Sequence, residues 1–219
     1  MNRIVLFDVD HTITHRSTGR RFAQYGRTAG VFRLRDLLTL PVFYARYRLG
    51  RMDGESLDRE FAPLRGKTAE EIDAVAEGCF QQFVRHDIYP QARELVRGHI
   101  DGGDTVVLAS TSLDVLVTRV ARHIGVQSVI ASRLEYKDGL STGRTEGPPC
   151  FGREKRRRAL SYIEAAGLTP EDAVFYSDSI HDLPLLAIIG TPIPVNPDPK
   201  LRRLADRHGW RVLTFKPPR

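Results

Sequence analysis

The chain has 219 residues, 41% hydrophobic and 27% charged, which argues against a disordered or fibrous protein and suits one domain carrying a sizeable insertion. Its two cysteines, Cys79 and Cys150, stand far apart, which argues against both a disulfide framework and a cysteine-based zinc site. The formal charge of +6 attracts anions in general, and no run reaches the roughly 18 apolar residues of a membrane span. The opening residues pass directly into a short apolar run without a secretory leader pattern, so a cytoplasmic location is expected.

Residues 3–7 (Arg-Ile-Val-Leu-Phe) form a nearly continuous apolar run, the pattern of a strand covered on both faces. From Thr14 to about Asp87 that pattern disappears. Helical periodicity predicts helices over 20–40, 42–49, 56–64 and 69–85, broken at Pro41 and Gly50, with no convincing strand. Here Arg20, Arg21, Arg27, Arg33, Arg35, Arg46 and Arg48 share a stretch with one acid, Asp36, and are expected to form a solvated face. Further on, strands predicted at 105–109, 173–176 and 193–195 alternate with helices at 91–101, 113–124, 153–166 and 183–189. Gly102-Gly103, Gly125, Gly167 and Gly190 follow helical runs, where left-handed caps are expected, and Asp138-Gly139 marks a hairpin turn. The expected fold is α/β, a parallel sheet with helices on both faces and a small helical domain inserted after the first strand. Residues 1–14 and 88–219 form the core and 15–87 the insertion.

Four polar clusters sit where a core has no need of them. Asp8-Val9-Asp10-His11-Thr12 follows the first strand, Ser110-Thr111-Ser112 follows 105–109, and Ser177-Asp178-Ser179-Ile180-His181-Asp182 follows 173–176. Lys155 opens a helix. In an open parallel sheet the ligand crevice lies beyond the carboxyl ends of the strands, so topology alone gathers three clusters on one edge. Asp8, Asp10 and Asp178 would repel one another without a cation among them, and oxygen ligands with retained water suit Mg²⁺. Ser110, the amides after it and Lys155 add donors and charge, the equipment that holds a phosphoryl group.

Asp8-x-Asp10-x-Thr12, Ser110, Lys155, and Asp178 followed by Asp182 resemble, in order, the four motifs of the haloacid dehalogenase superfamily. The run from Ser177 to Leu186, the segment Pro194-Val195-Asn196-Pro197-Asp198 and Glu146-Gly147-Pro148-Pro149-Cys150 resemble its phosphoserine-phosphatase-like branch, subfamily IB. The resemblance implies a Rossmann-like catalytic core with a helical cap domain at 15–87. It implies a Mg²⁺-dependent phosphatase acting on a small phosphorylated metabolite. Asp8 is then the nucleophile that forms an aspartyl-phosphate, and Asp10 the general acid and base. Ser110, Thr111 and Lys155 bind the phosphoryl oxygens. Mg²⁺ is held by the Asp8 side chain, the Asp10 backbone carbonyl and Asp178, while Asp182 and His181 act behind these groups.

Each signal has a plainer reading beside it. Asp10, Thr12 and Ser112 are helix-cap candidates, Ser112 foremost, and Asp178 and Asp182 could be turn acids. Arg156 is the fallback for Lys155. His11 and His15 lack a third zinc ligand, Cys150 suits packing, and Trp210 suits the core. The branch commonly has asparagine at His181, and its phosphoserine phosphatases carry an amine-reading acid nine residues past the nucleophile, where this chain has Ser17. The rival functions are a phosphotransferase using the same intermediate and a non-catalytic protein whose basic cap binds a lipid, nucleic acid or protein. No nucleic-acid partner is expected, and a membrane surface or lipid phosphate read by the basic, amphipathic stretch 33–49 is the lesser alternative.

Overall fold

The computed structural model describes residues 3–32 and 59–218. Its strands are β1 (Ile4–Phe7), β2 (Thr105–Leu113), β3 (Ser128–Ser132), β4 (Leu134–Lys137), β5 (Leu140–Thr145), β6 (Ala173–Ser177) and β7 (Thr191–Pro194). Five of them form one parallel sheet in the order β3-β2-β1-β6-β7, and β4 and β5 pair as an antiparallel hairpin about Asp138-Gly139. The helices are α1 (Thr18–Thr28), α2 (Ala69–Cys79), α3 (Pro90–Asp101), α4 (Asp114–Ile124), α5 (Arg153–Ala165), α6 (Leu183–Leu186) and α7 (Pro199–His208). A single turn of π-helix, Phe80–Val84, and Arg85–Asp87 continue α2.

The pleat of β1 divides the core in two. Val5 and Phe7 pack with Ala92 and Val96 of α3 and Leu116, Val117 and Val120 of α4. Ile4 and Leu6 face the other side, with Ala159 and Ile163 of α5, Leu185 of α6 and Leu201 of α7. A strand buried on both faces has no polar side, which is why 4–7 reads as unbroken apolar sequence. The α/β fold with a parallel sheet and helices on both faces is the one expected.

Some boundaries differ. β3 was not among the predicted strands. β2 runs four residues past 109, because Leu113 pairs with Ser132 beyond a register irregularity. β7 begins at Thr191 and includes Pro192 and Pro194, which an edge strand tolerates. Gly103, Gly125 and Gly167 adopt the expected positive φ, but Gly190 does not. A Cβ on Gly190 would collide with the Glu171 carbonyl, so close backbone approach requires glycine there. The helix predicted over 20–40 ends at Thr28, and the described part of 56–64 is a 3₁₀ turn, Arg59–Leu64. The predicted helix 42–49, with Arg33, Arg35, Arg46, Arg48 and the stretch 33–49, lies outside the described residues. Among the described residues no helix is long and apolar enough to cross a membrane.

The hairpin reaches the described end of the insertion. Gly66 N–H donates to the Ser141 carbonyl and Ser141 N–H to the Lys67 carbonyl, both at 2.8 Å. Arg21 belongs to no solvated face: it makes a two-pronged ion pair with buried Asp87, at 2.6 and 3.0 Å. Together with the His15 N–H to Asp87 carbonyl bond, this joins the two chain segments at the root of the insertion.

Candidate active site

Strand register places the acids. Phe7 of β1 lies opposite Leu108 of β2 and Tyr176 of β6, so Asp8 stands one residue beyond the sheet between two neighbouring strand ends. Its N–H donates to the Tyr176 carbonyl at 2.9 Å, fixing the backbone. The amides of Thr12, Ile13 and Thr14 then converge on the Val9 carbonyl, folding the loop back sharply. His11 takes the left-handed conformation (φ 64°) that this fold-back needs, and its Nδ1–H donates to the His15 carbonyl at 3.1 Å.

Lys155, in the first turn of α5, is only 2% exposed. Its Nζ donates to Asp8 Oδ1 at 2.8 Å and to Asp182 Oδ2 at 2.9 Å. Asp182 also accepts from Ser177 Oγ at 2.7 Å. One ammonium is thus shared by two buried carboxylates, whereas Arg156 is exposed. Ser110 is buried within β2, between the paired residues Ala109 and Leu113, its Oγ accepting from the Ser112 amide at 3.1 Å. The Thr111 carbonyl is held by Ser132 Oγ at 2.7 Å.

Burial pushes the Asp8 carboxyl up to about 7, against the pull of Lys155 and with the push of Asp182. Burial and then the Asp8 charge hold Asp178 well above the ordinary carboxylate range. The shared Lys155 ammonium only partly offsets that push, and a cation among the acids would favour their charged forms further. The donor set fits Mg²⁺: two carboxylates, Asp8 and Asp178, with a backbone carbonyl. Asp10 has only its carbonyl to offer, because its carboxylate is turned to Ser17, Thr18 and Ser112. No cluster of three His, Cys, Asp or Glu side chains that could hold a metal occurs among the described residues.

The structure therefore brings Asp8, Lys155, Asp182 and Ser110 to one strand edge, with Asp178 close enough to feel the Asp8 charge. His181 lies at its side, its ring 4.9 Å from that of Phe151. Ser112 is not a helix cap: it ends within β2, Leu113 is the residue preceding α4, and its hydroxyl goes to Asp10. Ser17 caps α1 and donates to Asp10 at 3.1 Å. Sequence reasoning missed Thr18 and Asp198. Asp198 accepts from the Ile180 amide at 2.7 Å and donates its own N–H to the Asp178 carbonyl at 2.8 Å, pinning the loop that carries Asp178. The only trace of Asp198 in the sequence is its place in the Pro194–Asp198 segment, and Thr18 has none beyond a capping pattern.

The pattern of haloacid dehalogenase-like hydrolases matches residues 5–187. A histidinol-phosphatase of Neisseria meningitidis is 30% identical over 222 residues, covering 99% of this chain and 100% of that protein. A phosphoserine phosphatase of Mycobacterium tuberculosis is 29% identical over 215 residues, 96% of this chain and 70% of its own length. Among solved structures, a Bordetella pertussis protein with unknown function superposes with a TM-score of 0.86 at 32% identity, over 97% of this chain and 99% of that one. A substrate-bound phosphoserine phosphatase shares the fold, with a TM-score of 0.75 at 20% identity over 97% and 93% of the two chains. The chain accordingly belongs to the haloacid dehalogenase-like hydrolases, and within that family it is a phosphatase.

Proposed function

We propose that the chain hydrolyses a small organic phosphate monoester, with Mg²⁺, through a phosphoryl group carried transiently on Asp8. Residues 15–87 serve as the cap over the site, and 1–14 with 88–219 as the catalytic core. The activity is cytoplasmic in this reading, in keeping with two buried free thiols.

The Asp8 carboxylate attacks phosphorus in line, forming the Asp8 O–P bond as the ester P–O bond breaks. Asp10 gives its proton to the departing alkoxide. Water then attacks the same phosphorus, Asp10 takes a proton back, and the Asp8 O–P bond breaks to release phosphate. Ser110, the Thr111 amide and Lys155 bind the phosphoryl oxygens. Asp182 holds the Lys155 amino group against Asp8. The Asp8 and Asp178 carboxylates with the Asp10 carbonyl would hold Mg²⁺, whose chemistry here is neutralisation of phosphoryl charge.

The observation that carries this reading is the buried Asp8–Lys155–Asp182 arrangement at the carboxyl edge of the sheet, which joins a nucleophile to the charge a phosphoryl group needs. The Ser17 hydroxyl is engaged with Asp10 and the Arg20 amide, which supports a substrate other than one read by an acid at that position. The test is phosphate release from a panel of monoesters, including histidinol phosphate and phosphoserine, with Mg²⁺ and with EDTA. Acid-quenched wild-type enzyme should carry a phosphoryl adduct on the peptide containing Asp8, and Asp8→Asn should carry none. Full turnover by Asp8→Asn overturns the proposal. Transfer to added glycerol in place of phosphate release would identify a phosphotransferase.

A further inference from the structure

Both oxygens of the Asp10 carboxylate accept hydrogen bonds, more than proton donation alone requires. Thr18 Oγ1 lies 2.7 Å from Asp10 Oδ1, and the Thr18 amide donates to the same oxygen at 2.9 Å. Ser112 Oγ lies 3.2 Å from Asp10 Oδ2, and Ser17 Oγ 3.1 Å from it. Thr18 Oγ1 and Ser112 Oγ are themselves 2.8 Å apart. Asp10, Thr18 and Ser112 thus form a closed triangle of oxygen contacts, drawn from the loop after β1, the start of α1 and the end of β2. Thr18 is fully buried, and no other task is evident for its hydroxyl.

Counting protons shows what the triangle does. With the carboxyl group protonated, three hydroxyl protons serve three oxygen–oxygen contacts: Asp10 to Ser112, Ser112 to Thr18, and Thr18 to Asp10. With the carboxylate ionised, the Ser112 hydroxyl turns from Thr18 to donate to Asp10, Thr18 goes on donating to Asp10, and the Thr18 amide and Ser17 hydroxyl add two more donors. Rotation of the Ser112 hydroxyl alone therefore accommodates either state while the carboxyl plane stays where it is. A group that gives a proton to an alkoxide and takes one from water in the next step needs that property.

We propose that Thr18 and Ser112 are positioning residues that fix the Asp10 carboxyl group in the orientation for proton transfer to the leaving oxygen. The inference rests on Asp10 being the general acid of the proposed mechanism. Because α1 belongs to the inserted segment, the acid is oriented only while the start of α1 is seated on the core.

The test uses leaving groups, because a good leaving group departs without a proton and a poor one does not. Single-turnover release is measured with p-nitrophenyl phosphate, with substituted phenyl phosphates of rising leaving-group pKa, and with the best alkyl monoester of the panel. Thr18→Val keeps the shape and removes the hydroxyl. Alkyl ester turnover should fall roughly 10- to 100-fold, a share of what a general acid typically supplies, with KM unchanged. Single-turnover release of p-nitrophenol should fall less than about threefold, and Thr18→Ser should restore the alkyl rate. Ser112→Ala should steepen the leaving-group dependence in the same way, which keeps the idea testable if Thr18→Val folds poorly by circular dichroism. Asp10→Asn separates the two levels of inference. Steep dependence in Asp10→Asn with wild-type dependence in Thr18→Val and Ser112→Ala overturns the positioning role and leaves the acid in place. Wild-type dependence in Asp10→Asn overturns the acid itself.

Discussion

Asp8 and Lys155 are 147 positions apart in the chain and meet as a buried ion pair, with 2.8 Å between Oδ1 and Nζ. Neither can leave without stranding the other. Lys155→Met should abandon two buried carboxylates and cost about 3–5 kcal/mol of stability, as removal of one partner of a buried pair does. It should also lower kcat by roughly 10²–10³-fold, the scale of one lost transition-state donor. In urea melts the double variant Asp8→Asn with Lys155→Met should be less destabilised than the sum of the single variants. Strict additivity would show that the two groups do not depend on each other.

Glu154 anchors the helical turn that carries Lys155. It accepts from Arg157 Nη2 at 2.7 Å and from Arg158 Nε at 2.8 Å, and Arg158 in turn donates to the Ala131 and Pro148 carbonyls. The Arg157 hydrogen bond, with Arg158 behind it and burial opposing, draws the Glu154 carboxyl down to about 2. A carboxyl group whose value is lowered on folding adds stability above its ordinary value of 4.5, and that stability is lost as pH falls toward about 2. Glu154→Gln should cost about 1–2 kcal/mol at pH 7, less as pH falls through about 2, and nothing well below it, read from denaturant melts across that interval. An equal deficit at both ends of the interval would sink the assignment.

How much could be read beforehand follows from what each residue answers to. Asp8, Ser110, Lys155 and Asp182 were legible because the first, second and fourth follow buried strands and topology gathers strand ends. β3 was not: Ser128-Val129-Ile130-Ala131-Ser132 lies at the sheet edge, with a polar residue at each end and too short a core to stand out. Ser110-Thr111-Ser112 looked like the end of a strand, yet pairing of Leu113 with Ser132 carries β2 through it. Asp10 was weighed as a helix cap of its own loop, and it does accept from a helix amide, that of Thr18 eight residues on. Such long-range partners leave no periodic trace. Arg21 shows the same limit, since its salt bridge to Asp87 joins positions 66 residues apart.

That salt bridge gives a third prediction. Arg21 is 14% exposed and the Asp87 side chain 9%, and Arg16 and His15 stand farther from the same carboxylate, at 4.0 and 3.7 Å. Arg21→Met leaves Asp87 with those weaker neighbours, and should cost about 3 kcal/mol. The loss should appear as faster amide exchange at His15 and Tyr89, whose N–H groups bridge the two segments at the root of the insertion. Unchanged exchange at both would mean that the backbone bonds hold the root alone.

Gly190 separates two reasons for a glycine. A left-handed cap would tolerate asparagine well and alanine at modest cost, whereas close backbone approach tolerates neither. Because a Cβ at 190 meets the Glu171 carbonyl, Gly190→Ala and Gly190→Asn should both destabilise by about 1–3 kcal/mol, in the range of overpacking. Gly125, with φ 83° and a Cβ there meeting only the Ile100 Cδ1 methyl at an ordinary 4.0 Å, should accept asparagine with less loss. Thermal melts of Gly190→Asn and Gly125→Asn decide the matter, and equal tolerance would remove the distinction.

The two cysteines test the core from another side. Burial pushes the Cys79 thiol up to about 12 and the Cys150 thiol to about 11, from an ordinary 9.0. A thiol raised in the folded state keeps its contribution to stability below the ordinary value and loses it as pH climbs through the raised one. Both side chains should therefore remain protonated and inert at pH 8, since the thiolate is the reactive form. Ellman's reagent should count no thiol in the native protein at pH 8 and two after guanidinium is added. Cys150 should respond to rising pH before Cys79, because Lys155 and Arg158 offset part of its burial while Cys79 has Arg21 alone. Rapid labelling of either thiol in the native protein at pH 8 would mean that the packing around α2 or around the loop before α5 opens far more readily than this core allows.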